Sequence, residues 1–259
     1  MTKKPDEMPV IDHLDELRRL LIVSLVSTIV LAVAAWFFVD QILAFILDPL
    51  TNAGQHINYT GLTEPIIVKL KLSLFVGFVL ALPIILWQVW GFVVPALKKN
   101  ERVYFTLFVL VSSFCFILGV CFCYLSVFRF GIEFLLGFAG PSLNPLLTID
   151  KFISFAIGII LPFGFIFELP LIAFILAKLG LLSYRFIAGN RTYAILIIVV
   201  VAALITPPDI FTCLMVTGPV YLLFELSALI VRLVERGAAR KRKKEEAEEE
   251  KKTDDSLAA

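Results

Sequence analysis

The sequence predicts an all-α integral membrane protein, in which six kinked transmembrane helices form a concave bundle. Three observations support this fold class: the composition, the long uncharged runs and the placement of the basic residues. Of 259 residues, 59% are hydrophobic and 17% are charged, and the mean hydropathy is +0.93. Soluble domains are about 45–50% apolar and about 25% charged. Two His against 24 Phe, and a net charge of +1, argue against a soluble enzyme and a nucleic-acid binder.

Six stretches are apolar enough to cross a bilayer. A helix needs about 20 apolar residues to span a hydrocarbon core about 30 Å thick, and a helix satisfies its own backbone hydrogen bonds there. The predicted spans are residues 20–39, 66–90, 103–128, 152–178, 192–206 and 210–231. Prolines inside the spans predict the kinks and hence the concave bundle; they are Pro83, Pro162, Pro170 and Pro219.

The basic residues predict that both termini are cytoplasmic. Of the 23 Lys and Arg, 19 lie in the N-terminal segment, the second and fourth connections, and the tail. The opposite side holds the other four, Lys69, Lys71, Arg129 and Lys151. The chain therefore divides into a cytoplasmic amphipathic segment (1–19), a membrane domain (20–231) and a charged tail (232–259). Blocks of like charge predict that the tail is disordered.

The N-terminal segment reads as an amphipathic helix. Its apolar face holds Val10, Leu14, Leu17 and Leu21. The opposite face holds Asp12, Asp15, Glu16 and Arg19. An anionic membrane surface attracts Lys and Arg rather than carboxylates. These acids indicate either a solvated lead-in to the first span or a receptor for a basic ligand.

One carboxylate, Glu168, lies near the middle of the fourth span. A charged residue there costs about 2.5–3.5 kcal/mol on insertion scales. Either it is a protonated structural acid, or it is a polar contact point for a substrate or a partner helix. A proton- or ion-coupled small-molecule transporter using Glu168 is the alternative function. The lack of an internal repeat and of a polar relay in the spans argues against that alternative.

The sequence predicts neither a metal site nor a cofactor. Its four cysteines all fall within predicted spans. Cys121 and Cys123 point to different helix faces, and no second Cys/His pair completes a ligand set. The spans also lack the His, Asp and Ser constellation of an intramembrane enzyme, so we predict that the protein is not an enzyme.

Read together, several motifs resemble the TatC family, the multispanning core of the twin-arginine protein translocase. The resemblance runs in order from about residue 10 to 232. Its motifs are His13-Leu14-Asp15-Glu16-Leu17-Arg18, Asp48-Pro49-Leu50, Thr63-Glu64-Pro65, Gln88 to Leu97 with Glu101-Arg102, Phe167-Glu168-Leu169-Pro170 and Thr206-Pro207-Pro208-Asp209. The chain departs from the family pattern at Leu20, where the family usually has Arg, and at Lys98-Lys99-Asn100.

The resemblance implies a receptor for the twin-arginine signal peptides of folded cargo proteins. It assigns peptide binding to Glu16, Arg18, Phe92, Pro95, Glu101 and Arg102. It assigns an intramembrane contact, with partner helices or the inserted peptide, to Glu168. It assigns structural roles in the outer loops to Pro49, Pro207, Pro208 and Asp209.

The resemblance also implies partners and a location. The expected partners are single-span TatA/TatB-type subunits, further copies of this chain, and the lipid bilayer. The expected location is the bacterial cytoplasmic (inner) membrane.

Overall fold

The computed structural model describes residues 10–55, 57–93, 105–138, 146–206 and 209–257. Helices make up nearly all of this part, and two short strands complete it. The chain divides into two compact units, with the boundary between Phe165 and Ile166. Among the described residues, five helical segments are long and apolar enough to cross a membrane, and one further apolar helix is shorter. The predicted concave arrangement of the spans stays a prediction.

Unit 1 is built around two long helices, α1 (Val10–Trp36) and α3 (Glu64–Val93). They pack closely where Gly77 of α3 meets Ala32 of α1. A Cβ atom added at Gly77 would lie 2.4 Å from the backbone nitrogen of Ala32. Small residues let helix backbones approach in a membrane, where apolar contact alone gives no preference for protein over lipid. Gly77 therefore sets the spacing of this pair.

The first connection folds into α2 (Val39–Asn52) and a short strand, β1 (Ile57–Asn58). Pro49 lies inside α2 and is buried. Strand β1 pairs in parallel with β2 (Leu147–Thr148), so that Ile57 faces Leu147. The sequence did not predict the strand pair, which joins two segments that are distant along the chain.

The third helical segment is longer than the predicted span 103–128. Helix α4 (Phe105–Phe122) leads into a π-helical turn (Cys123–Phe128), which continues directly as α5 (Arg129–Phe138). The Tyr124 hydroxyl donates a 2.6 Å hydrogen bond to the Phe45 carbonyl of α2. The wider π turn thus lies where the segment contacts α2.

The predicted fourth span, residues 152–178, is two helices. Helix α6 (Ile149–Ile166) ends before Glu168, and α7 (Leu169–Lys178) begins after it. Pro170 lies in the first turn of α7, where its missing N–H costs no intrahelical bond. The same proline cannot donate to a carbonyl of the preceding turn, and the helix is interrupted there.

Unit 2 consists of α7, α8 (Tyr184–Gly189), α9 (Arg191–Ile205) and α10 (Ile210–Leu257). Its core combines small and branched residues: Ala173, Ala177, Ile187, Ala228 and Val231. Helix α9 has 15 residues, a length of about 22 Å, as the short fifth span predicted.

Helix α10 differs from the prediction for the tail. Its 48 residues run through the charged segment that was predicted to be disordered. Glu, Lys, Ala and Arg are good helix formers, and acids and bases four residues apart add further support. Local propensity therefore favours helix where the blocks of charge predicted disorder.

Candidate functional site

The antiparallel packing of α1 and α3 fixes which residues share an end of unit 1. Lys69 Nζ pairs with Asp40 Oδ1 at 2.6 Å, just beyond the end of α1. Ala32 and Gly77 meet further along. Glu16 lies sixteen residues before Ala32, and Val93 lies sixteen residues after Gly77. The same register therefore brings Glu16 and the last turn of α3 to one end, which we call the Glu16 end.

The Glu16 end gathers part of the predicted peptide-binding set. Glu16 and Arg18 are both exposed on the first turns of α1. Phe92 belongs to the last turn of α3, where the structure describes only the backbone. Pro95, Glu101 and Arg102 lie outside the described residues. The structure thus brings Glu16, Arg18 and Phe92 to one end of unit 1.

The chemistry of the Glu16 end suits a cationic ligand. Asp15 and Glu16 are consecutive exposed carboxylates, and a carboxylate can accept two parallel hydrogen bonds from one guanidinium. Arg18 and Arg19 follow directly and are exposed as well. They lie within a helical turn of the acids and limit the net negative charge. A ligand with more than one positive group in a defined geometry gains most from this pattern.

Glu168 occupies a different environment. It is 6% exposed and stands immediately before α7, where its carbonyl accepts hydrogen bonds of 3.0 Å from the N–H groups of Leu171 and Ile172. Its side chain does not cap the helix. The structure therefore places Glu168 in unit 2, at the break in the fourth span.

Asp209, one of the predicted outer-loop residues, directly precedes α10 and caps its N-terminus. Its Oδ1 accepts a 2.7 Å hydrogen bond from the Thr212 N–H, and its Oδ2 accepts from the Thr212 hydroxyl. This is the N-capping geometry that satisfies the unpaired donors of a first helical turn. Pro207 and Pro208 lie outside the described residues.

The end of unit 1 opposite Glu16 holds an ion-pair network that the sequence did not predict. Lys71 Nζ lies 2.5 Å from Asp150 Oδ1 and 3.2 Å from Ser154 Oγ. Glu64 accepts hydrogen bonds from the backbone N–H groups of Thr60, at 2.6 Å, and Asp150, at 3.1 Å. We call this the Asp150 end.

The connections around α2 are tied by a third pair at this end, Arg129 with Asp48 at 2.7 Å. Three of the four basic residues assigned to the outer side thus pair with carboxylates: Lys69, Lys71 and Arg129. The same connections also contain acids, which could have suggested these pairs. The count of Lys and Arg used to predict membrane orientation does not consider acids.

In unit 2, a second carboxylate within the predicted spans, Glu225, makes two side-chain contacts. Glu225 Oε2 lies 3.0 Å from Arg191 Nη2, and its Oε1 accepts a 2.9 Å hydrogen bond from the Tyr221 hydroxyl. The ion pair joins α9 to α10, and the hydrogen bond lies within α10. Glu225 therefore has a structural role within unit 2.

Comparison with known proteins gives one consistent result. The family described as "Sec-independent protein translocase protein (TatC)" matches residues 12–219. A relative of that name from Carboxydothermus hydrogenoformans is 38% identical over 236 residues, which cover 91% of this chain and 96% of the relative. The relative from Aquifex aeolicus is 34% identical over 233 residues, with 88% and 97% coverage.

Solved structures agree. A crystal structure of a "Twin Arginine Translocase Receptor- TatC" superposes with a TM-score of 0.79 at 33% identity. The match covers 86% of this chain and 99% of that chain.

Proposed function

The chain belongs to the TatC family of Sec-independent protein translocase proteins, and on that basis we propose that it binds twin-arginine signal peptides and organises the transport of folded proteins. It is a multi-pass membrane protein of a translocase family without enzymatic activity. Membership of a translocase family leaves the small-molecule transporter alternative without support.

One observation carries the proposal for the binding residues. The α1–α3 register brings Glu16 and the last turn of α3 to the same end of unit 1. The segment after α3 holds Pro95, Glu101 and Arg102 in the sequence. We propose that these residues stay near the turn that they follow in the sequence. Glu16 and Glu101 would then be two acids able to receive two arginines.

The choice of arginine follows from hydrogen-bond geometry. Guanidinium presents a planar set of donors that matches a carboxylate with two parallel bonds, whereas the lysine ammonium is a point charge. We propose that Glu16 and Glu101 form these bonds while Arg18 and Arg102 limit the binding of singly charged peptides. Phe92 shapes the apolar part of the surface, and Pro95 sets the turn of the connection.

Glu168 has a later role in this proposal. An arginine would have to lose its water before reaching a buried carboxylate, and that loss opposes first capture there. A polar group on a partner helix already in the membrane does not face the same barrier. We therefore propose that Glu168 contacts the single-span TatA/TatB-type subunits, or the signal peptide once it is inserted.

The distribution of Lys and Arg supports a proposal for the membrane location and the orientation of the chain. With 19 of 23 Lys and Arg on one side, we propose that both termini face the cytoplasm and that the protein lies in a bacterial cytoplasmic (inner) membrane. The Glu16 end then faces the compartment in which cargo folds. Self-association in a larger complex is part of the same proposal.

The direct test is capture of a twin-arginine peptide by the purified full chain. A twin-arginine peptide should bind, and its twin-lysine variant should bind much more weakly. Glu133→Ala, an exposed acid of α5, is the control for general loss of negative charge and should bind like wild type. Equal capture of both peptides would contradict the proposal.

A further inference from the structure

Unit 2 contains an apolar groove that the proposed function does not use. It has a volume of about 450 Å³ and lies between α7, α8, α9 and α10. Sites that hold small ligands are typically about 300–1,000 Å³. The groove is open to its surroundings, because two of its lining side chains, Phe186 and Tyr193, are 64% and 67% exposed.

The depth of the groove is similar to the length of an acyl-chain segment within one lipid leaflet. Along α7 its lining runs from Leu176 to Leu169, a rise of about 10 Å. Half of a hydrocarbon core is about 15 Å. A transmembrane helix is about 30 Å long and about 10 Å across, so it would extend far beyond this groove. An acyl chain fits the depth better than a helix does.

Aromatic residues mark one end of the groove as the level of the membrane–water interface. Tyr193 lines it, and Tyr184 begins the adjoining helix α8. Tyrosine is enriched at that level because its ring is apolar and its hydroxyl is polar. The other end is lined by Leu169 and Ile197. The groove thus runs from an interfacial rim into an apolar interior.

Basic residues exceed acids at this rim. The basic side chains are Lys178, Arg185, Arg191 and Arg232, and the acids are Glu225 and Glu235. Glu225 pairs with Arg191, and Glu235 accepts a 3.0 Å hydrogen bond from the Tyr184 N–H. Arg232 lies 5.2 Å from the centre of the Tyr184 ring. The rim therefore carries an excess of positive charge.

Arg185 is the guanidinium best placed for a ligand. It is exposed and directly precedes Phe186, which lines the groove. Within the described ranges Arg185 forms no ion pair, whereas Arg191 is held by Glu225. A guanidinium pairs with a phosphate through two parallel hydrogen bonds. Basic pockets between membrane helices on the cytoplasmic side bind anionic lipid head groups.

We propose that this groove is a binding site for an anionic phospholipid, with an acyl chain between α7, α8 and α9 and its phosphate on Arg185. The lipid fills the apolar volume that the helices leave and neutralises part of the charge at the rim. The proposal does not depend on signal-peptide binding, and its test measures lipid alone.

The test is native mass spectrometry of the delipidated full chain in a neutral detergent, titrated with phosphatidylglycerol or phosphatidylcholine. We expect one phosphatidylglycerol to be retained more strongly than phosphatidylcholine. Arg185→Gln should weaken retention of phosphatidylglycerol about fivefold, the usual effect of one basic residue near an anionic lipid. Arg236→Gln removes the same charge from an exposed site on α10 and should change nothing.

A second variant tests the groove itself. Ala194→Phe places a ring in the lining and should reduce retention of both lipids at an unchanged unfolding temperature. If it does not fold, Ile197→Asn serves the same purpose from an exposed lining position.

Soluble glycerophosphate at the same concentration should not displace the lipid. The proposal is overturned if both lipids are retained equally, if the two arginine variants behave alike, or if the groove variant keeps its lipid. Displacement by glycerophosphate, or by a single-span helical peptide, also overturns it.

Discussion

The two ends of the α1–α3 pair use their charges differently. At the Asp150 end, carboxylates pair with Lys69, Lys71 and Arg129 at distances of 2.5–2.7 Å. At the Glu16 end, Asp15, Glu16, Arg18 and Arg19 are exposed along one short stretch of helix. The first set joins segments that are distant in sequence. The second set presents charge to the surroundings.

This contrast shows that a count of charges does not predict their role. Lys71 and Asp150 are 79 residues apart, and Arg129 and Asp48 are 81 apart. Such pairs hold two connections in one geometry. Pairs of this exposure contribute about 0–1 kcal/mol each, so they fix the position of the connections more than they add to stability.

The largest effect is expected from breaking the register that relates the two ends. Gly77→Leu would force a side chain into the backbone of Ala32, since even a Cβ atom would lie 2.4 Å away. Overpacking of this kind costs about 1–3 kcal/mol, and more where backbone cannot move. We expect a lower unfolding temperature in detergent and loss of twin-arginine peptide capture.

Gly91→Leu is the matched control on the same helix, because a Cβ atom there meets none of the described residues within 4 Å. It should retain the wild-type unfolding temperature. If the two glycine variants unfold alike, close packing at Gly77 does not set the register.

Glu16→Ala tests the Glu16 end directly. Loss of one charged hydrogen bond costs about 1.5–3 kcal/mol, so the affinity for a twin-arginine peptide should fall about 10- to 150-fold. Glu101→Ala should act in the same direction. Fluorescence titration of a labelled peptide measures both.

Glu168→Ala is the contrasting variant, because its carboxylate is buried rather than exposed. It should leave peptide affinity largely intact and reduce co-purification of single-span partners, and Glu168→Gln should be milder. If Glu168→Ala abolishes peptide capture while Glu101→Ala does not, the division of roles is wrong.

A smaller effect is expected at the Asp150 end. The side chains of Lys71 and Asp150 are 42% and 37% exposed, so solvent screens their attraction. Lys71→Met and Asp150→Asn should each lower the free energy of unfolding by about 1 kcal/mol or less, and peptide affinity should stay unchanged. A double-mutant cycle by denaturant unfolding measures the coupling, and a coupling well above that value would show a larger structural role.

The smallest effect is expected from truncation after Arg240. It removes the five glutamates of residues 245–250 and leaves Arg232, Arg236 and Arg240 beyond the last span. If Glu16, and not the acidic tail, attracts the peptide, the truncated chain should show nearly unchanged peptide capture and membrane insertion. A large loss of capture would show that the acidic tail, and not the Glu16 end, attracts the peptide.

The spans could be predicted because each depends on local composition. Membrane burial requires long uncharged runs, and these are visible without tertiary information. The start of α7 was signalled by Pro170. By contrast, the closeness of Gly77 to Ala32 depends on which helices pack together, and one glycine among 14 carries no sign of this.

The candidate site could be predicted only in part. The acidic face at Asp15 and Glu16 is visible in the sequence because it breaks the preference for basic residues at a membrane surface. The ion pairs of the Asp150 end are not visible, since their partners come from separate connections. For the tail, blocks of charge and strong helix formers predict opposite outcomes for the same residues, and its disorder stays a prediction.

The length of α10 has a mechanical consequence. Beyond residue 231, where the last predicted span ends, the helix continues to Leu257, a distance of about 39 Å. If this part of the helix moves as a straight rod, a small tilt of the membrane part displaces its tip by about 7 Å for each 10°. The displacement of a fluorophore at the tip would therefore report tilting of the last membrane helix with high sensitivity.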